Sequence, residues 1–468
     1  MGRLFGTDGV RGIANTELDA ELAYKVARAG THFLLRNGDM NAPAGEAGGP
    51  SGERPAIVVG RDTRISGDLL EAAVVAGICS VGATALRAGV LTTPSVAHIS
   101  RALGAAGGIM ISASHNPVEY NGIKIFGPNG FKLPDSVEDE VENLVHGPAD
   151  GLPRPIGAAV GRVRAMASGE AVEPYIDSMC SAIAGDLSGL KLVLDCSNGS
   201  ASAIAPEAFR RLGADVIAIC DSPDGLNINV SCGSTRPAAM CEAVKHHQAD
   251  AGFAYDGDAD RCIACDERGN VVDGDHILAI CGLDMARSAT LKGQTVVATV
   301  LSNLGLEVAL AKSGVSVKRT RVGDRYVLEE MLASGYNLGG EQSGHIIFLD
   351  HATTGDGILT SLKVASIIKA SGARFSESTQ GLTKFPQVMV NVKVTAATSA
   401  LAGLLADSER VNEAIRQAEE YLGDTGRVVV RPSGTEPLIR VMVEADEAPK
   451  ALKIAENVGE VIRREFGS

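Results

Sequence analysis

The chain has 468 residues, 45% of them hydrophobic and 21% charged, which supplies several cores and, at about 100–200 residues per domain, about three or four domains. Its formal net charge is −14, and no long Lys/Arg run offsets that charge, which argues against binding to nucleic acid or to an anionic membrane surface. A phosphorylated small molecule stays open as a ligand, because a few local Arg residues can override the global field.

In chain order, one pattern recurs three times: an apolar run, a polar loop, a helix-period stretch, a Gly and a second apolar run. The first copy is AIVVGRDTR, a helix over about 66–81, Gly82 and ATALRAGV. The second is KLVLDCSNGS, a helix over about 202–212, Gly213 and ADVIAIC. The third is TVVATVLSN, a helix over about 304–312, Gly314 and VSVKRTRVG. Continuous apolar runs alternating with helices indicate strands buried on both faces, as in α/β units with largely parallel sheets. A Gly after each helix fits a left-handed cap. After about residue 380 the texture changes. QVMVNVKV, RVVVRP and LIRVMVEA read as strands and 408–422 and 446–465 as helices, a smaller α+β domain. The predicted architecture is therefore α/β with four domains, three similar units with mixed, mostly parallel sheets plus the smaller C-terminal one, divided at 1–165, 166–265, 266–378 and 379–468. The Gly/Ala/Pro-rich stretch 41–55 reads as a surface insertion.

Four segments carry chemistry. GGIMISASHNP (107–117) is a strand ending in a polar turn. Alternation puts Ser112 and Ser114 on one side if the strand continues. In DGDADR (256–261), alternate residues of an extended segment point the same way, so Asp256, Asp258 and Asp260 can converge on one hard cation. The spacing also matches the start of an EF-hand, with Glu267 at its twelfth position. Arg261 stands where that loop needs Gly, however, and strands flank it instead of helices. Mg²⁺ is favoured over Ca²⁺, since a phosphate oxygen can complete its octahedron. GGEQSGH (339–345) offers Glu341, Gln342 and Ser343 to sugar hydroxyls. RPSGTEP (431–437) offers the Arg431 fork, the Ser433 and Thr435 hydroxyls and backbone N–H groups turned inward at Gly434, a cradle for phosphate.

These four segments, in this order and one per predicted domain, resemble the α-D-phosphohexomutase superfamily over nearly the whole chain. The resemblance implies four domains around a central cleft. It implies a phosphoserine at Ser114, magnesium held by Ser114, Asp256, Asp258 and Asp260, sugar recognition by Glu341 and Ser343, and a distal phosphate site at Arg431, Ser433, Gly434 and Thr435. It also implies Lys124 and His345 as proton-transfer groups with Arg11 nearby, His115 positioning the phosphoserine, and Arg261 pairing with its oxygens. FGTDGVRG, PDGLNINVSCGST (223–235), VDGDHIL (272–278), VGDRYVLE (322–329) and Gln342 are most similar to the bacterial branch that interconverts glucosamine 6-phosphate and glucosamine 1-phosphate on the way to UDP-N-acetylglucosamine. Glucose or glucosamine 1,6-bisphosphate is the expected activator. Members acting on glucose or mannose phosphates are the alternative.

No membrane span or signal core is read from the sequence. Nine cysteines without framework spacing read as reduced thiols, including the Cys262/Cys265 pair on a predicted strand. These features predict a cytoplasmic protein, and the charge pattern permits a monomer or a homodimer.

Overall fold

A computed structural model of the chain describes residues 4–6, 8–36, 54–147, 151–167, 169–395, 401–433 and 437–467; most of the expected insertion, 41–53, lies outside them. Among the described residues the strands form sheets of seven, five, four and three strands. The first three sheets share one plan. A central strand (Ala56–Arg61, Lys191–Asp195, Thr295–Thr299) has a parallel neighbour on each side, and an antiparallel strand follows on one of them. Those last antiparallel pairs are Gly107–Ile111 with Tyr120–Phe126, Ala251–Tyr255 with Cys262–Asp266, and Leu338–Gly340 with Ile346–Phe348.

The repeat seen in the sequence therefore has a physical basis. In each copy the run–helix–run segment forms two adjacent parallel strands joined by a helix: Gly67–Ser80, Ala201–Arg211 or Leu304–Ala311. The expected left-handed glycines have φ of +93° at Gly82, +86° at Gly213 and +73° at Gly314. At these angles a Cβ would be strained. The three-stranded sheet is wholly antiparallel and packs on Glu409–Leu422 and Ala448–Phe466.

The first three motifs occupy one topological position. Each is the turn leaving the C-terminal end of the third parallel strand and entering the antiparallel one, where ligands gather in α/β sheets. The fourth motif joins two antiparallel strands, Gly426–Pro432 and Leu438–Ala445.

The three α/β units share part of their interior, although each also keeps a cluster of its own, the largest being that of the first unit around Phe5, Val10, Ile57 and Ile109. One cluster of buried side chains runs from Val58, Leu86 and Met110 through Leu192 and Phe253 to Val296, Leu338 and Ile346. The second sheet continues to Val271–Val272, so the expected division at 265/266 falls inside the strand Cys262–Asp266. The C-terminal unit has its own core and meets the third unit through polar contacts. Glu444, fully buried, accepts from Leu304 N–H (2.9 Å), Asn303 Nδ2 (3.2 Å) and Arg427 Nε (2.7 Å). No helix among the described residues is long and apolar enough to cross a membrane.

Candidate active site

The strand Gly107–Ile111 stops short of the serines, so Ser112 and Ser114 do not alternate along it as expected. Ser112 instead braces the turn. Its hydroxyl donates to Asp62 Oδ2 (2.6 Å) and accepts from Ser114 N–H (2.9 Å). Ser114 sits at φ +53°, left-handed backbone that a residue with a Cβ occupies only when its surroundings enforce it. The enforcement is visible. Arg64, fully buried and paired with Asp62 (2.9 Å), donates through Nη2 to Ser114 O (3.0 Å) and Asn116 O (2.8 Å). From the second unit, Asn229 Nδ2 donates to the same two carbonyls at 2.9 and 3.2 Å. The result is a buried Ser114 hydroxyl that donates to Asp256 Oδ2 at 2.5 Å.

The acidic motif is a turn, not the extended segment expected from its spacing. Ala259 lies at φ +56° and its N–H donates to Asp256 O (3.0 Å). The turn still gathers Asp256, Asp258 and Asp260 so that one oxygen of each lies within 4.8 Å of the others. Asp258 Oδ1 and Asp260 Oδ1 are buried without a hydrogen-bond partner. Buried, converging and partly unsatisfied carboxylate oxygens fit a hard divalent cation. Burial, with repulsion from Asp260 and Asp258, pushes Asp256 well above the usual carboxylate range. Glu267 turns away from this group, accepting from Ser376 N–H (3.0 Å) and Oγ (2.5 Å), so the EF-hand pattern has no structural counterpart.

Lys124, on the strand antiparallel to the serine strand, is buried with Nζ 2.9 Å from Asp258 Oδ2, 2.9 Å from Asp8 Oδ2 and 3.4 Å from Asp260 Oδ2. Burial alone would lower its pKa, but Asp258, Asp8 and Asp260 outweigh it and hold the ammonium charged. Thr93 ties the first unit to the same loop, its hydroxyl donating to Asp258 Oδ2 (2.6 Å).

An open cleft of about 1070 Å³ lies over this centre, lined by Asp8, Arg11, His115, Asp260, Arg261, Gly323, Asp324, Glu341 and His345 among others. His115 Nδ1 is 3.2 Å from Ser114 Oγ. Burial, then the charges of Arg261 and Arg11, lower its pKa to about 4, so it faces the serine as a neutral ring. Arg261 Nε is 3.8 Å from Asp260 Oδ1.

His345 is buried with Nδ1 3.7 Å from Asp260 Oδ2 and Nε2 3.6 Å from Asp324 Oδ2. Burial would lower its pKa, yet Asp260 and Asp324 raise it. Gly355 N–H donates to Nε2 (3.1 Å) and opposes a second proton there. That contact assigns the neutral ring's proton to Nδ1, facing Asp260. Glu341 Oε1 accepts from Gly323 N–H (3.1 Å), and the exposed Ser343 hydroxyl lies 3.4 Å from Glu341 Oε2.

Sequence reasoning missed Asp8, Lys132 and Asp324. Lys132 Nζ bridges Asp8 Oδ1 (2.5 Å) and Asp324 Oδ2 (2.6 Å), and Asp8 also pairs with Arg11. Burial would raise the Asp8 carboxyl, but Lys124, Lys132 and Arg11 hold it well below the usual range. Only the aspartates of FGTDGVRG and VGDRYVLE being charged residues in otherwise apolar or turn contexts could have flagged two of them.

Arg431 and Ser433 are not among the residues lining the cleft. Arg431 stands directly opposite Arg440 across the sheet, and burial and that like charge lower its pKa. Facing arginines repel unless an anion lies between them. Ser433 is buried, its N–H donating to Leu438 O (2.9 Å). Gly434 and Thr435 lie outside the described residues.

Comparison with known proteins gives a consistent result. Family models described as phosphoglucomutase/phosphomannomutase α/β/α domains I, II and III match residues 2–150, 173–269 and 273–385, and the C-terminal domain of the same family matches 389–461. A protein of Geobacillus thermodenitrificans named phosphoglucosamine mutase is 51% identical over 467 residues, 100% of both chains. Its namesake in Syntrophomonas wolfei is 53% identical over 449 residues, 96% of each. Among solved structures, a phosphoglucomutase/phosphomannomutase family protein from Burkholderia thailandensis superposes with TM-score 0.81 at 22% identity, covering 99% of this chain and 97% of that one. The Aspergillus fumigatus N-acetylphosphoglucosamine mutase in complex with GlcNAc-6P and magnesium gives 0.66 at 19% identity, covering 99% and 96%.

Proposed function

Because the chain belongs to the phosphoglucomutase/phosphomannomutase family, we propose that it interconverts glucosamine 6-phosphate and glucosamine 1-phosphate through a phosphoserine and a bisphosphorylated sugar, in the cytoplasmic supply of UDP-N-acetylglucosamine. The observation that carries the reading is Ser114, held at a strained φ with its hydroxyl 2.5 Å from Asp256 in a group of three carboxylates. The choice of the hexosamine rests on relatives about half identical over their full length; phosphomannomutase or phosphoglucomutase activity is the alternative.

Asp256, Asp258 and Asp260, with an oxygen on phosphorylated Ser114, would hold Mg²⁺, which when bound draws charge from the phosphoryl oxygens. In the first half-reaction a substrate hydroxyl attacks phosphorus. The P–O bond to Ser114 breaks, and the serine oxygen takes a proton. Lys124, kept charged by Asp258, Asp8 and Asp260, suits the acid of that step. His345, with its proton on Nδ1 toward Asp260, takes the attacking hydroxyl's proton on Nε2 in exchange for the Gly355 N–H contact. Neutral His115 and cationic Arg261 orient the phosphoryl oxygens, and Arg11 adds positive charge at the same wall. Glu341 and Ser343 read sugar hydroxyls. Arg431, Ser433, Gly434 and Thr435 hold the phosphate at the far end of the sugar, in both of its orientations. The bisphosphate then turns over and returns its other phosphate to Ser114, so glucose or glucosamine 1,6-bisphosphate serves as activator.

Initial rates on glucosamine, glucose and mannose phosphates test the substrate, and intact mass before and after glucose 1,6-bisphosphate tests the phosphoenzyme. The expected results are fastest turnover of the glucosamine phosphates and a gain of one phosphate on Ser114. Faster turnover of a glucose or mannose phosphate transfers the assignment to the alternative, and no gain of mass in an active enzyme overturns the phosphoserine.

A further inference from the structure

A second cluster of donor groups lies behind the serine turn, outside the cleft. Asp195 ends the strand Lys191–Asp195, and Cys220 follows its parallel neighbour Asp215–Ile219, whose last residue is in register with Asp195. Cys232 returns at the end of the loop that leaves Cys220. One carboxylate oxygen and the two Sγ atoms lie within 4.8 Å of one another. From this geometry we infer a binding site for one thiophilic divalent cation of the zinc class, liganded by Asp195, Cys220 and Cys232.

Three features support the site. Tetrahedral zinc with S at about 2.3 Å and O at about 2.0–2.2 Å sets its donors roughly 3.5–3.8 Å apart, a triangle that three atoms within 4.8 Å of one another can form. The carboxylate is oriented from behind, as metal ligands are: Asp195 Oδ1 accepts from Ser197 N–H (3.0 Å) and Oδ2 from Gly233 N–H (2.8 Å). Cys220 is half-exposed while Asp195 and Cys232 are buried, which gives an entry path and leaves a fourth position for water. Cys220 is also held at φ +47°, a non-glycine residue in left-handed backbone, as at Ser114. Mixed sulfur and carboxylate donors select zinc-like ions over Mg²⁺, whereas the three carboxylates of the cleft have the opposite preference.

The site has a place in the architecture. The loop between the two thiols carries Asn229, which clamps Ser114 O and Asn116 O, and Gly225, whose carbonyl accepts from Ile65 N–H (2.9 Å). A metal joining Cys220 to Cys232 fastens both ends of the loop that braces the serine turn.

Cobalt(II) tests this in the reduced, metal-stripped full chain. The expected result is a thiolate-to-cobalt charge-transfer band that saturates at one equivalent and is abolished by added Zn²⁺, which binds such sites more tightly than cobalt. Carboxylates alone give no such band, so cobalt entering the cleft is not confused with it. Cys220→Ser should abolish the band while keeping the far-ultraviolet circular dichroism of the parent. Cys241→Ser, at a thiol pair elsewhere in this unit, should retain the band. Absence of the band in the parent protein at millimolar cobalt overturns the site, as does a band that survives Cys220→Ser or is lost in Cys241→Ser. Because the band does not depend on turnover, its failure leaves the proposed function untouched.

Discussion

The wall of the cleft that carries Ser114 and the fourth unit that carries Arg431 are built by different means. Ser114 is gripped by three parts of the chain: Ser112 of its own turn, the buried Arg64–Asp62 pair and Asn229 from the second unit. The units around it share one continuous core. The Arg431 strand belongs to a unit with a separate core, joined to the third unit through the polar contacts of Glu444, Asn303 and Arg427. Interfaces of that polar kind permit relative motion of domains. Ser114 is thus mounted on a rigid support, and Arg431, the proposed distal-phosphate residue, on a unit whose polar interface suits it to the closure the proposed mechanism needs.

Four measurements break or sharpen this contrast. The largest effect belongs to Ser114→Ala, expected to reduce mutase turnover by roughly 10⁴–10⁶, the scale seen when a covalent nucleophile is removed. Near-native kcat in that variant would place the phosphate carrier elsewhere. Next, excess chelator should stop turnover and Mg²⁺ restore it, since the buried oxygens of Asp258 and Asp260 lack partners. Full activity in chelator refutes metal binding at the three carboxylates.

In the fourth unit, Arg431→Ala should weaken both the 1-phosphate and the 6-phosphate by similar factors. A charge-assisted contact contributes about 1.5–3 kcal/mol, which is about one to two powers of ten in affinity. Phosphorylation of Ser114 should be unchanged, because Arg431 lies in a different unit. Weakening of one isomer only would mean that the loop serves a single pose. The smallest effect is expected from Asn229→Ala. It removes two hydrogen bonds to the serine turn, each contributing about 0.5–1.5 kcal/mol net, and should lower kcat about tenfold with little change in KM. A rise in KM at constant kcat would show that the turn's bracing serves binding instead of chemistry.

Much of this was legible in the residues. The run–helix–Gly–run repeat identified the parallel pairs because buried strands and amphipathic helices leave periods that local sequence records. The motif order marked Ser114, the three aspartates and Glu341, all of which the fold brings to one cleft or its floor. Local reasoning erred where a turn replaced an extended strand. Ser112 braces Ser114 through its hydroxyl, and Asp256, Asp258 and Asp260 converge through the left-handed backbone of Ala259, not through alternation. Neither φ value has a signature in residue type, since Ser and Ala are ordinary residues that only their surroundings force into that region.

What the sequence determined by itself is the kind and order of its elements and the chemical groups placed at the turns between them, because these depend on neighbours a few residues apart. The tertiary structure alone decided which charges meet. Asp8, Lys132 and Asp324 are separated by 124 and 192 residues yet form one half-buried ion-pair chain beside Lys124 and His345. It also decided that Asp195, Cys220 and Cys232 converge, and that one core cluster runs through all three repeated units while the fourth is built on its own. Such meetings are set by how sheets twist and pack against one another, and that long-range geometry leaves no period in the chain.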